Sequence, residues 1–183
     1  MGKPLSEMSL AELWELFPII LTEHDPRFSE QYAGEAALLG ERLKGAKLSH
    51  IGSTAIAGIM TKPIVDILAV IPNTADIRAY ARDAVSSGYI IMNESERRIS
   101  LNKGYTEQGY ADKVFHLHIR YEGDDDEIYF RDYLNAHADV AEQYEALKVA
   151  LARAYRHDRD AYTQAKGDFV RRYTEIAKGE AKR

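Results

Sequence analysis

One segment constrains this chain more than any other. Residues 63–71 read Pro-Ile-Val-Asp-Ile-Leu-Ala-Val-Ile and are closed by Pro72. The run is almost continuously apolar and rich in β-branched side chains, the pattern of a strand covered on both faces. Asp66 is the only charge within it. A carboxylate in such a place is costly unless it is paired, hydrogen-bonded or bound to a metal. Two accounts follow. Asp66 is either a salt-bridge partner of Lys62, Arg97 or Arg98, or a metal-binding or catalytic carboxylate at a sheet edge.

The segments around this strand set the fold class. Ser9 caps a short helix that ends before Pro18, and the apolar spacing of Phe28, Tyr32, Ala36, Leu39 and Leu43 predicts a helix ended at Gly45. Lys47 to Ile51 reads as a short strand, and Thr74 as the cap of a helix reaching Val85. Short strands follow at Tyr89–Met92 and Arg97–Asn102, with a turn at Lys103-Gly104. Lys113 to Tyr121 alternates, with Phe115, Leu117 and Ile119 on one face and His116, His118 and Arg120 on the other. From the acidic turn at Gly123–Asp126 to about Ala177 the pattern is helical, with a break at His157–Asp160. Strands and helices mix without strict alternation, so the expected class is α+β with a mixed sheet and a helical C-terminal region.

Composition narrows the possible chemistry. With 183 residues, one domain is expected. Its parts are an N-terminal helical extension (1–22), an α/β core (23–122), a helical continuation (123–178) and a tail (179–183). The net charge is −5, which argues against a module held to nucleic acid by phosphate attraction alone. Cysteine is absent, so disulfides and thiolate metal sites are excluded. No run approaches the length of a membrane span, and Met1–Leu10 lacks the features of a signal peptide. A cytoplasmic protein is the expectation.

Three features point to a site. Gly52-Ser53-Thr54 follows a strand, where backbone N–H groups and a hydroxyl could face an anion. Asp66 lies downstream. His116 and His118 point the same way from one strand, a geometry suited to zinc, iron or manganese. His50 precedes the turn, as a further imidazole or as a residue that orients the loop. Lys62, Arg97 and Arg98 are candidate phosphate clamps, with Lys103, Arg120, Arg131, Lys148 and Lys166 as further basic candidates. Tyrosine is frequent, at 12 residues, and some of these rings could stack on a planar ligand.

These residues carry a family resemblance. The run His50-Ile51-Gly52-Ser53-Thr54-Ala55-Ile56-Ala57-Gly58 and the run Lys62-Pro63-Ile64-Val65-Asp66-Ile67 resemble the hallmark of the GrpB family. Asp25-Pro26-Arg27-Phe28, His116-Leu117-His118, Phe130-Arg131-Asp132-Tyr133-Leu134, Tyr144 with Leu147-Lys148, and Tyr162-Thr163 with Lys166 extend it over residues 23–177. The resemblance implies a nucleotidyltransferase-like fold, similar to the polymerase-β superfamily. There a Gly-Ser turn holds a nucleoside triphosphate, and carboxylates alternating along the next strand, with a third on a later strand, hold two divalent metals.

Here the positions that alternate with Asp66 are Ile64 and Leu68, and neither binds a metal. His116 or His118 takes the place of the later carboxylate, a donor set suited to Mn²⁺, Zn²⁺ or Fe²⁺ more than Mg²⁺. The expected function is binding of a nucleotide or phosphorylated small molecule with a divalent metal, and nucleotidyl transfer. A metal-dependent hydrolase or lyase built on Asp66, His116 and His118, or an inactive ligand-binding module on the same fold, fits these residues as well.

Overall fold

The computed structural model describes residues 3–182. Five strands form one mixed sheet in the order β1-β2-β5-β4-β3. They are β1 (Lys47–Ile51), β2 (Val65–Ile71), β3 (Ile90–Glu94), β4 (Arg98–Thr106) and β5 (Gly109–Tyr121). β2 and β5 run parallel, and the other neighbours are antiparallel. The mixed α+β class expected from the sequence is the class observed.

The strands alternate between two different environments. One face, carrying Ile67, Ala69, Ile71, Ile99, Leu101, Leu117 and Ile119, packs on helices α2 (Arg27–Arg42) and α3 (Ile77–Val85) through Leu39, Leu43, Ile77, Ala81 and Ala84. This is the main core, and its burial is the largest stabilising contribution to the fold. The opposite face carries Asp66 and Leu68 of β2, His116 and His118 of β5, and Ser100 and Asn102 of β4. Leu68 and Val70 on that face pack on Ile128 of helix α4 (Asp126–Ala136).

Helices α5 (Ala138–Ala154), α6 (Arg159–Ala165) and α7 (Gly167–Ala181) complete the helical part. Phe130, Leu134, Val140, Tyr144 and Tyr173 form its own core, into which Ile56 and Ile59 of the β1–β2 loop insert. That loop is also tied by polar bonds. Asn135 Nδ2 donates to the Ala55 carbonyl at 2.9 Å, and its Oδ1 accepts from the Ala57 amide at 3.1 Å. Glu145 accepts from the Met60 amide, and Lys148 donates to the Met60 carbonyl.

Several local readings change. Asp76, not Thr74, caps α3, accepting from the Arg78 amide at 2.9 Å. β4 runs on to Thr106, because Gly104 sits at a register shift opposite β5 instead of in a turn. Its φ of 92° and the Lys113 backbone pressed against it admit no side chain. The helical region breaks at His137 and Lys166 as well as near His157. α7 continues through Ala181, so the expected tail is helical there, while Arg183 lies outside the described residues. Helix α1 (Leu10–Leu16) keeps its Ser9 cap, in a capping box with Glu12.

Candidate functional site

The Gly-Ser turn lies against Asp66. Gly52 has φ 73°, and a Cβ there would fall 2.9 Å from the Asp66 Cγ, so no side chain fits. After it, Ser53–Ala55 forms a single turn of 3₁₀ helix, not the start of an α-helix. The turn is held from within. Thr54 is buried, its hydroxyl donating to the Ile64 carbonyl at 3.1 Å and accepting from His50 Nε2 at 2.9 Å. This places Thr54 inside the fold, with its hydroxyl engaged by Ile64 and His50. It also makes His50 an orienting residue, stacked on Tyr32 with ring centroids 4.8 Å apart. Burial, with Arg131 and His24 nearby, lowers the His50 imidazole to about 4 against the opposing pull of Asp66, so it is neutral at pH 7. Ser53 is hydrogen-bonded to Thr61.

Asp66 and the two histidines meet because parallel pairing sets Asp66 directly beside His116, and the period of two brings His118 to the same face. One Asp66 oxygen, Oδ1, lies 3.2 Å from His116 Nδ1 and 3.3 Å from His118 Nε2. The partners of Asp66 are therefore imidazoles, not Lys62, Arg97 or Arg98. Burial pushes the Asp66 carboxyl up, but the hydrogen bonds from His116 and His118 outweigh it and hold the carboxyl well below the usual range. Burial lowers His116, so the imidazole is neutral and donates through Nδ1.

Each histidine is fixed from behind by a hydroxyl. Tyr105 OH lies 2.8 Å from His116 Nε2, and Arg159 donates to that same phenol oxygen at 2.9 Å. Ser100 Oγ lies 3.4 Å from His118 Nδ1. Tyr105 and Ser100 are positioning residues that the sequence reading missed. The signal for Ser100 is its place on the strand pairing with β5, directly opposite His118.

The trio has the donor chemistry of a metal site. Its three candidate ligand atoms lie within 4.8 Å of one another. The nitrogens that would face an ion are the ones turned to Asp66, and the outer nitrogens are already held, an arrangement found around metal-bound histidines. Two imidazoles and a carboxylate suit Mn²⁺, Fe²⁺ or Zn²⁺ better than Mg²⁺. Ile64 and Leu68 are buried and supply no second acid.

Cations gather beside this trio. Lys62 and Lys166 both place Nζ over the Tyr162 ring, at 5.5 and 4.1 Å from its centroid. Lys148 lies over the Tyr144 ring at 4.9 Å, and Arg159 over Tyr105 at 5.4 Å. Burial first, then mutual repulsion, lowers these amines: Lys62 and Lys148 to about 8, and Lys166 to about 7, where Lys62, Lys148 and Arg159 repel it and Asp66 attracts it. Burying several ammonium groups together is unfavourable for a folded chain by itself and creates a place for an anion. Arg159 was missed from the sequence because it stands between Asp158 and Asp160, in a segment that reads as a helical break.

Arg97 and Arg98 stand elsewhere. Arg98 pairs with Asp124 at 2.6 Å, and Arg97 lies over Tyr121 and donates to Asn73 at 3.3 Å. The register puts Arg98 opposite Arg120, two residues along β5 from His118 and four from His116, so about 7 and 13 Å from those two members of the trio, with its guanidinium turned to Asp124. Arg120 is buried at that same end of β5, near Asp124 and Glu127. Lys103 is bound to Glu35 at 2.8 Å on the helix-covered side. Arg131 donates to the His50 carbonyl at 2.7 Å and so braces the turn.

Comparison with known proteins places the fold and the family. The model of the GrpB protein family matches residues 18–175. A UPF0157 protein of Pseudomonas aeruginosa is 35% identical over 153 residues, covering 81% of this chain and 63% of that protein. The glutamate-rich protein GrpB of Alkalihalophilus pseudofirmus is 33% identical, covering 83% of this chain and 91% of that one. The crystal structure of GrpB from Enterococcus faecalis superposes with a TM-score of 0.76 at 28% identity, over 90% of this chain and all of that chain. The Cid1 poly(U) polymerase bound to MgATP superposes with a TM-score of 0.50 at 12% identity, over 79% of this chain and 45% of that one. The fold is thus nucleotidyltransferase-like. The chain belongs to the GrpB family.

Proposed function

We propose that this chain binds a nucleoside triphosphate together with a divalent transition metal and transfers the nucleotidyl group to an acceptor hydroxyl. The observation that carries the reading is the gathering of Lys62, Lys148, Lys166 and Arg159 beside Asp66, against the Gly52-Ser53 turn. Such a cluster suits a polyphosphate, because each added negative charge relieves repulsion among the buried cations.

Each residue has a task in this scheme. Lys62 and Lys166 hold the β- and γ-phosphates, Lys148, buried and bound to the Met60 carbonyl, adds positive charge from within the fold, and Arg159 lies on the side facing Tyr105. Gly52 lets the backbone approach the phosphates without a side chain between them and Asp66. Asp66, His116 and His118 would hold the metal, which supplies charge neutralisation at the transferred phosphoryl group and the leaving pyrophosphate. Asp66 also accepts a hydrogen bond from the acceptor hydroxyl and orients it. The acceptor oxygen forms a bond to the α-phosphorus while the bond from that phosphorus to the bridging oxygen breaks. Pyrophosphate leaves with the electron pair, and the hydroxyl proton passes to water. Cid1 bound to MgATP lends analogy at the level of fold alone.

The test is thermal denaturation of the purified protein with ATP, GTP, CTP and UTP, each with Mn²⁺, Zn²⁺ or Mg²⁺. A nucleotide-dependent rise in melting temperature that is larger with Mn²⁺ than with Mg²⁺ is the expected result. No shift with any nucleotide and metal would rule the reading out.

A further inference from the structure

On the face of the sheet that carries Asp66, a groove of about 950 Å³ opens between β3, the end of β4, α1 and α6. Its walls are apolar on two sides, with Leu10, Leu13, Trp14 and Phe17 on one and Ile90 and Met92 on the other. Ile90 and Met92 are more than half exposed, at 54% and 58%, an unusual place for such side chains on a sheet. The volume lies in the range of small-molecule sites.

The groove ends beside the proposed site, at Asn102, Tyr105 and Arg159. Strand register aligns Ile90 with Asn102, Asn102 with His116, and His116 with Asp66, so these residues form one row across the sheet. Asn102, Tyr105 and Arg159 line the groove, and Tyr105 and Arg159 also brace His116. Three strand spacings separate Ile90 from Asp66, which is about 14 Å. A molecule lying along this row would place one end on Ile90, Met92 and Trp14 and the other at Asp66. The α1 wall precedes residue 18, where the family match begins, so this wall lies outside the family's shared region.

We propose that the groove is the acceptor site, and that the acceptor is a small amphiphile with an elongated apolar body and a terminal hydroxyl that reaches Asp66. The identity of the reacting group rests on the transfer reading above; the groove's affinity for an apolar body does not. Trp14 is the chain's single tryptophan and lies in the groove, so its emission reports occupancy directly.

The experiment titrates the full chain with primary alcohols from butan-1-ol to decan-1-ol and follows Trp14 emission, without nucleotide or metal. The expected result is a saturable shift, with binding tightening about fourfold for each added methylene until the row is filled. Met92→Glu should weaken decan-1-ol at least tenfold while the melting temperature stays unchanged, since Met92 is exposed. The methyl ether of octan-1-ol, which has no hydroxyl proton, should bind severalfold more weakly than nonan-1-ol, its match in chain length. A linear, unsaturable response, or equal affinity in wild type and Met92→Glu, would overturn the site. Equal affinity for the ether and the alcohol would overturn the placement of the head group. Saturable alcohol binding in a chain that binds no nucleotide would refute the transfer reading and leave the groove standing. Nucleotide binding with no response to alcohols would do the reverse.

Discussion

Lys62 and Lys166 share one aromatic ring: their ammonium groups lie 5.5 and 4.1 Å from the centroid of Tyr162. Lys62 comes from the loop before β2, and Lys166 from the junction of α6 and α7. The ring offers both cations a favourable face where water is scarce. It does not cancel their repulsion, which adds to burial in lowering the Lys166 amine.

A first prediction concerns that cost. Replacing Lys166 by Met removes a half-buried cation and keeps an apolar side chain over Tyr162. The apo protein should gain stability, on the order of 1 kcal/mol, because burial and three repelling cations outweigh the single attraction of Asp66. The same change should abolish nucleotide-dependent stabilisation. Denaturant unfolding and nucleotide titration of one variant check both halves. A loss of stability would show that Lys166 is a structural tie.

The second prediction is linkage to protons. The Lys166 amine is lowered by burial from 10.5 to about 7. Between those values the folded chain binds fewer protons at this group than the unfolded chain, so its contribution makes stability rise with pH across that window. A bound polyphosphate favours the charged amine and raises its value again. At pH 8, nucleotide binding should take up protons, and affinity should fall as pH climbs further. Calorimetry in two buffers of different ionisation enthalpy measures the uptake. Proton release on binding would contradict the scheme.

Tyr105 supplies a third. Its hydroxyl meets His116 Nε2 at 2.8 Å and does not face the space between the metal-ligand candidates. Tyr105→Phe keeps the stack on His116 and removes the hydrogen bond. Manganese affinity should drop about tenfold, the lower bound for losing an outer hydrogen-bond partner. An unchanged metal isotherm would show that Tyr105 only fills space.

Gly52→Ala is the fourth. Its φ of 73° disfavours a side chain, and a Cβ would meet the Asp66 carboxyl. The variant should lose at least about 1 kcal/mol of stability. It should also lose metal binding, because Asp66 must move aside. Retained metal affinity would mean that the turn adjusts independently of Asp66.

Asp66 itself requires care. Its carboxylate attracts Lys62, Lys166 and Arg159. Removing it leaves those cations without that countercharge, so Asp66→Asn should lower stability at neutral pH. Metal binding, not melting temperature, separates the roles of this residue.

Much of this arrangement was legible in the chain. The apolar run of β2 announced a strand covered on both faces and made Asp66 conspicuous. The period of two put His116 and His118 on one face, away from Leu117 and Ile119. What spacing alone does not encode is which strands become neighbours. Parallel pairing of β2 with β5 brings Asp66 to His116 across a stretch that includes α3, β3 and β4. For the same reason spacing alone reads Arg97 and Arg98 as phosphate clamps, although antiparallel register sets Arg98 opposite Arg120, where it pairs with Asp124. Lys148 and Lys166 follow apolar stripes, which flagged them as inward-reaching, whereas Arg159 sits in a charged break with no stripe to mark it.

The central claim is that the cations and the Asp66–His116–His118 trio together bind a metal-bound nucleoside triphosphate. Equilibrium calorimetry of ATP and its three counterparts with Mn²⁺, on wild type, Lys166→Met and His118→Ala, tests it most directly. The account predicts saturable binding of at least one nucleotide. That binding should weaken at least tenfold in Lys166→Met whether or not metal is present, and lose its metal dependence in His118→Ala. Nucleotide binding of equal strength in all three proteins, or none in the wild type, would contradict it.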